Sequence, residues 1–333
     1  MLREAMKKFI FGIDIGGTTC KIGLFDNTGL LLQEWETPTD SGNNGINVID
    51  NLAETLHEYL NSKGISYDAI EGIGLGIPAQ VAPDGRVVIS SNVGWQDHYV
   101  GRELSVKMNG IPVKVIKDSN AAALGEMWKG KAKGYRNVSL ITIGTGVGGA
   151  NIVNGELVIG SKGAGGDFGH LTIYPQETEQ CGCGRKGCLE QYASATAIVK
   201  QYKAELPSVE EAKGRLETTV ILPSVEAIET TEIKTLTAKD IFEAYVAGEK
   251  VATKVINKFA KSLAQGMTAV ACTTDPEIFL IGGGVSKAGQ PLLDIVTKYY
   301  QELALGDTKH TKIELTELGN QSGIYGAAKL VLC

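Results

Sequence analysis

The order of strand and helix signals along this chain predicts an α/β fold built by duplication, with two similar domains facing one another across a central cleft. Three observations predict it. With 333 residues, 43% hydrophobic and 21% charged, the chain has a globular composition and is too long for one comfortable core. Two stretches repeat one rhythm: "FIFGIDIGGTTCKIGLFDNTGLLLQEWE" and "NVSLITIGTGVGGANIVNGELVIGS" each read as strand, Gly-rich turn, strand, second turn, strand. Each then runs on into alternating helix and strand signals.

In the first half the three strands lead to a helix in "GINVIDNLAETLHEYLNSKG". Ile46, Ile49, Leu52, Ala53, Leu56 and Leu60 lie at helical spacing there, and Gly64 is its stop. A strand follows in "AIEGIGLGIPAQV", then the strand "VKVIKDS" running into the Ala-rich helix "NAAALGEMWKG". The second half continues with helices over 189–203, 237–248 and 249–272, Thr237 and Asp240 forming a capping pair. The strand "EIFLIGGG" and the helix "QPLLDIVTKYYQELA" come next. Residues 205–236, weakly periodic with many Glu, Thr and Pro, are expected to form a surface excursion. The whole arrangement resembles the actin-like ATPase (ribonuclease H-like) fold.

No run approaches the ~20 apolar residues of a membrane span, and "MLREAMKKFIFGIDIGG" lacks the apolar core of a signal peptide. A cytosolic (cytoplasmic) protein with no membrane partner is expected. The net charge is −6 and the pI near 5.4, with Lys and Arg scattered, so no nucleic-acid partner is expected either. An anionic small ligand then needs local help from backbone amides, a metal or a few placed cations.

The glycine turns offer that help. "GTGVGG", residues 144–149, satisfies a dinucleotide fingerprint literally, but "ANIVNGELVIG" follows it as strand and hairpin rather than as a helix. It reads better as a tight turn whose backbone N–H groups approach phosphate oxygens, through Gly144, Thr145 and Gly146. Its counterpart in the first half is "DIGGTT", with Gly16, Gly17, Thr18 and Thr19, and Lys21 two residues beyond. Facing turns would pinch a polyphosphate, although both could be plain hairpin turns. Asp14, at the end of an apolar strand, suits the Mg2+ that accompanies ATP. A third turn, Gly282, Gly283 and Gly284, either lets an adenosine lie against bare backbone or simply joins strand to helix.

Phosphoryl transfer to an alcohol needs a carboxylate to accept the hydroxyl proton, and Asp118 stands at a strand end where α/β folds put such groups. It could equally be a helix N-cap. Asn92, Asn120, Asp167, His170 and Glu190 are polar residues able to grip sugar hydroxyls. Three of the six cysteines crowd into "CGCGRKGC". In a reducing compartment Cys181, Cys183 and Cys188 are expected to hold structural Zn2+ with His170, eleven positions upstream of Cys181, rather than to form disulfides or stand idle. If His170 gives one ring nitrogen to the ion, the other remains for a ligand. The thiols would then stiffen a loop whose edges form the acceptor pocket.

With "DIGGT" from 14, "GIGLGIPAQV" from 72, "DSNAAALGE" from 118, "TIGTGVGGA" from 142, "GHL" and "CGCGRKGCLE" between 169 and 190, and "IGGGV" from 281, the chain resembles the ROK family of sugar kinases and sugar-responsive repressors, its bacterial glucokinases above all. The resemblance implies ATP, Mg2+, transfer of the γ-phosphoryl to the C6 hydroxyl of a hexose, glucose favoured, and Asp118 as base. It implies Zn2+ on His170, Cys181, Cys183 and Cys188, sugar contacts from His170 and Glu190, and a homodimer or homotetramer. It also implies a small domain of residues 1–118, joined by a C-terminal helix within 319–333, and a larger one, 119–318, carrying the zinc loop. Three positions depart from the pattern: Lys117 replaces the usual Asn, Asp167 the longer Glu, and Ala79 the last glycine of a Gly-x-Pro-Gly turn. Lys117 and Asp167 bear on which sugar is taken. Alternatives are a kinase for N-acetylmannosamine, mannose or fructose, a catalytically idle sugar-binding protein, and a sugar-sensing regulator. With thirteen residues before Asp14, the helix-turn-helix of a regulator is not expected.

Overall fold

The computed structural model describes residues 9–90, 92–206 and 236–332. In the first half β1 (Phe9–Ile15), β2 (Thr19–Asp26) and β3 (Leu31–Pro38) form an antiparallel meander, and β4 (Ile70–Ile77) joins β1 in parallel. Three short strands, β5 (Gln80–Val81), β6 (Val87–Ser90) and β7 (Trp95–His98), form a small sheet of their own, after which β8 (Val113–Lys117) adds in parallel to β4. The second half lays down β9 (Val138–Ile143), β10 (Val147–Val153) and β11 (Glu156–Leu157) as a second meander, with β12 (Ile278–Gly282) and β13 (Lys312–Leu315) in parallel. The sheet orders, β3-β2-β1-β4-β8 and β11-β10-β9-β12-β13, are one plan used twice. The duplication expected from the sequence is present.

Eight helices of eight residues or more complete the described residues: α1 (Val48–Lys63), α2 (Val100–Lys107), α3 (Asp118–Lys129), α4 (Ala195–Glu205), α5 (Ala238–Val246), α6 (Lys250–Thr274), α7 (Gln290–Leu303) and α8 (Ser322–Val331). The apolar stripe of α1, Ile49, Leu52, Leu56 and Leu60, is buried in the core of the first sheet, each side chain contributing about 1.5–3 kcal/mol. Its C-cap Gly64 takes φ +61° and returns its N–H to Leu60 and Asn61, ending the helix where the sequence puts the stop. Ile46 does not join that stripe: it precedes the helix and is 67% exposed. Helices α6 and α7 cover the second sheet with Phe259, Leu263, Met267, Leu292, Val296 and Tyr300.

Two helices lie between the sheets. The apolar face of α3, Ala121, Ala123 and Leu124, packs with Val138, Leu140 and Ile152 of the second sheet, while Ile324 and Ala328 of α8 pack with Ile10 and Phe25 of the first. The helices touch backbone to backbone. A Cβ on Gly326 would stand 1.6 Å from the Ala121 carbonyl oxygen, and one on Gly125 would stand 2.2 Å from that of Ser322. Glu126, wholly buried at the end of α3, accepts backbone N–H bonds from Lys131 (2.9 Å), Glu317 (3.1 Å) and Leu318 (2.8 Å). That carboxylate ties α3 to the segment entering α8.

Elsewhere the elements differ from expectation in length more than in kind. β11 is only two residues, because the chain leaves the sheet at Val158 for the loop that leads to the site. The small β5–β7 sheet, α2 and β13 carry no strong periodic signal, since strands of two to four residues are too short to establish one. Thr237 and Asp240 form the capping box at the start of α5, each side chain bonded to the other's backbone N–H. Residues 207–235 of the expected surface excursion lie outside the described residues.

Candidate active site

Parallel strands end together in both sheets, and the chemistry collects at those ends. Asp14 pairs in register with Lys21 across β1 and β2 and with Gly76 across β1 and β4, while Ile77 pairs with Lys117 at the end of β8. Asp118 follows at once as the first residue of α3, with Lys117 in the N-cap position. It is therefore inside the helix and is not its cap, and its Oδ1 accepts the Ser119 backbone N–H at 2.6 Å. Burial pushes the Asp118 carboxyl up, Asp167 adds to the rise, and the Ser119 N–H and Lys117 oppose it. Asp14 is pushed up to about 7, first by burial and then by repulsion from Asp118, with Lys21 opposing. Two desolvated carboxylates repelling each other at one strand edge are a donor set that a divalent cation would relieve.

The glycine turns are strand-to-strand turns. In the first, the Gly16 N–H bonds the Thr19 carbonyl at 2.9 Å; in the second, the Gly144 N–H bonds the Gly146 carbonyl at 3.0 Å. These bonds close the turns and leave Thr18 and Thr145 exposed at the tips. Asn92 is exposed near Gly17, 3.8 Å separating its Cβ from where a Gly17 Cβ would be. Gly283, at φ +83°, presses on Ile143 at the end of β9, so the third turn lies against the second. From Gly284 a cavity of about 490 Å³ opens between the 284–288 turn and α5, lined by Phe242, Val246, Val285, Thr237, Lys239 and Lys287 among others. The α5 wall was not singled out from sequence. Its signal was there, in Phe242 and Val246 four residues apart behind the Thr237 capping box.

On the other side, a loop from β11 brings Asp167 and the helical turn Phe168–His170 beside the cysteines. One ligand atom from each of His170, Cys181, Cys183 and Cys188 lies within 4.8 Å of all the others. The Cys183–Cys188 sulfurs are 3.7 Å apart and Cys181 Sγ is 3.8 Å from His170 Nδ1. A tetrahedron with metal–sulfur bonds of about 2.3 Å has edges of about 3.8 Å, so these residues fit a tetrahedral ion. Burial pushes the Cys181 and Cys188 thiols up; at Cys183 burial acts the same way, but hydrogen bonds from Arg185 outweigh it and hold that thiol down. Glu190 accepts from Cys181 Sγ at 3.0 Å and stands 3.6 Å from His170 Nδ1, and a Cβ on Gly146 would lie 2.6 Å from its Oε2. The cysteine loop and the second glycine turn thus meet at Glu190. Glu177 braces the loop, its carboxylate held down to about 2 by the backbone N–H groups of Glu179 and Thr178 and by the Tyr192 hydroxyl. Nothing in its sequence context had marked it.

Lys117 links the two halves beside the site. Its ammonium, on β8, reaches the second half, bonding Asp167 Oδ1 at 2.9 Å and the Gly149 carbonyl at 3.4 Å. Asn120 is buried, and its Oδ1 has no hydrogen-bond partner.

Comparison with known proteins gives one consistent result. A profile of the ROK family matches residues 10–333. A glucokinase of Halalkalibacterium halodurans is 36% identical over 97% of this chain and 95% of its own, and one of Streptomyces coelicolor is 32% identical over 96% of each. Among solved structures, a ROK family glucokinase from Streptomyces griseus in complex with glucose and AMPPNP superposes with a TM-score of 0.75 at 29% identity, covering 97% of this chain and 98% of that one.

Proposed function

This chain belongs to the ROK family, and on that premise we propose that it is an ATP-dependent hexose kinase, transferring the γ-phosphoryl group to the C6 hydroxyl of glucose to give glucose 6-phosphate. The observation that carries the proposal is the position of Asp118, a desolvated carboxylate at the end of β8 whose charge is felt by Asp14 in one half and by Asp167 in the other. Burial raises the pKa of Asp118 above the ordinary carboxylate value, which makes it a stronger base for a hydroxyl proton. Glucose would be gripped by Asn92, Asp167, His170 and Glu190, with Asp118 taking the proton as the phosphoryl group arrives. The turns at Gly16–Thr19 and Gly144–Gly146 would cradle the nucleotide's phosphates, and the cavity beside Gly284 would take the adenosine. Asp14, balanced by Lys21, would hold Mg2+, which when bound supplies the positive charge that phosphoryl transfer needs. His170, Cys181, Cys183 and Cys188 would hold Zn2+, a crosslink that keeps the rim rigid. A cytosolic homodimer or homotetramer belongs to the same reading and rests on the family resemblance.

Purified protein with magnesium ATP and a panel of glucose, mannose, fructose and N-acetylmannosamine tests the proposal by ADP release. Glucose is expected to give the highest kcat/KM; no turnover on any hexose would overturn it. Asp118→Asn is expected to lower kcat by about 10²–10⁴-fold while calorimetry still detects glucose binding. A variant near the wild-type rate would remove Asp118 from the role of base.

A further inference from the structure

We propose that Lys117 is a positioning residue that sets sugar recognition: its ammonium clamps Asp167 across the seam between the two halves and so holds the sugar rim at a fixed distance from the base. The inference rests on the hexose-kinase reading of the cleft and deepens it.

The side chain of Lys117 is almost wholly enclosed, with 10% of its surface exposed, and that of Asp167 is 41% exposed. A buried ammonium must find partners, and the two that it has, Asp167 Oδ1 and the Gly149 carbonyl, both belong to the second half of the chain. Ser119 Oγ bonds the same Gly149 carbonyl at 3.0 Å, so the residues on either side of Asp118 are both anchored to β10. The base cannot shift relative to that strand without breaking one of these bonds.

The clamp also runs outward. The Asp167 carbonyl accepts the His170 N–H at 3.2 Å, closing the helical turn Phe168–His170. One line of contacts therefore joins β8 to the rim: Lys117 to Asp167, Asp167 to the His170 turn, and His170 to the cysteine cluster. With Oδ1 committed to the ammonium, the half-exposed Asp167 carboxylate keeps Oδ2 as the acceptor it would offer to a sugar hydroxyl. Lys117 itself, donor-only and turned away to Asp167, acts on the sugar through that carboxylate. Without it, Asp167 and Asp118 would repel one another unscreened, and the rim would lose its reference point.

Steady-state kinetics of Lys117→Met, Lys117→Arg, Asp167→Asn and the Lys117→Met/Asp167→Asn double variant test the clamp, with glucose affinity measured by calorimetry beside turnover. Lys117→Met is expected to raise the glucose KM by about ten-fold or more while the ATP KM changes by less than about two-fold. Lys117→Arg should recover most of the loss, and the double variant should be no worse than the worse single one. Equal rises in both KM values, an unchanged glucose KM, or additive single effects would overturn the inference. If Lys117→Met does not fold, Asp167→Asn, altering a half-exposed side chain, carries the comparison alone and must raise the glucose Kd. Wild-type protein that binds glucose but turns over no hexose would overturn the kinase reading, while the calorimetric comparison would still decide the clamp.

Discussion

At the scale of single residues, the site is governed by carboxylates placed where water is scarce. As the proposed base, Asp118 must be ionised to accept a proton, and burial raises the pH at which it ionises, so kcat/KM should fall with acid through a value above the ordinary carboxylate range. The pH–rate profile of the wild type checks this, and an acid limb at the ordinary carboxylate value would contradict it. Asp14 makes a different prediction, about stability. Its unfolded pKa is 3.8 and its folded value about 7, so the folded state keeps the proton longer. The stability gained is full below pH 3.8 and is lost as pH rises through about 7. In metal-free buffer the melting temperature of Asp14→Asn relative to wild type should therefore rise between about pH 4 and about pH 7 and level off above that. A difference that does not change with pH would refute the assignment. Residue types such as Asp14, Asp118, His170 and Glu190 were legible in the sequence because strand ends and a cysteine knuckle point at them. The Lys117–Asp167 bond was not, since the partners are 50 positions apart and on different halves.

Among the elements, the loop carrying the cysteines is the one that the proposed ion would hold, beside the core contacts of Leu171, Ile173 and Leu189. It has no regular strand or helix of its own between Leu171 and Leu189, only isolated bridges at Thr172–Cys188 and Gln180–Lys186. Three clustered thiols cannot all ionise beside one another without a cation, whereas an ion satisfies them and closes the loop. Cys183→Ala should lose the bound metal, measured by elemental analysis, and weaken glucose binding more than nucleotide binding, measured by calorimetry. A variant that keeps both metal and glucose affinity would show that the loop does not rely on an ion. The long amphipathic helices, by contrast, follow directly from their periodicity: α1, α6 and α7 bury the faces that their spacing selects. β13 and the β5–β7 sheet did not announce themselves, because a four-residue edge strand such as "KIEL" has too few positions for alternation to show.

Over the whole molecule, the two halves are joined where α3 and α8 cross, and that crossing is made of glycine. Gly326→Ala would drive a methyl group into the Ala121 carbonyl, a backbone atom that cannot swing aside, so the helices must separate. The cost is expected to be about 1–3 kcal/mol or more in chemical unfolding, with a larger loss of kcat than of affinity for either substrate alone. A neutral effect would mean that the crossing is looser than its geometry indicates. Among the described residues no helix is long and apolar enough to cross a membrane.

From sequence alone the repeated strand–turn–strand rhythm and the helical periodicities predicted a duplicated α/β architecture, and the glycine turns, the cysteine knuckle and Asp118 carried the resemblance that implies a phosphoryl-transfer chemistry. Local spacing carries that information, because turns, caps, ligand clusters and periodic faces involve residues close in the chain. Only the tertiary structure decided that Lys117 pairs with Asp167, that Glu190 joins the cysteine loop to the Gly146 turn, and that α5 walls the cavity beside Gly284. Those relations depend on how two separately folded sheets meet, and close packing at that seam is not encoded in any one stretch of the chain.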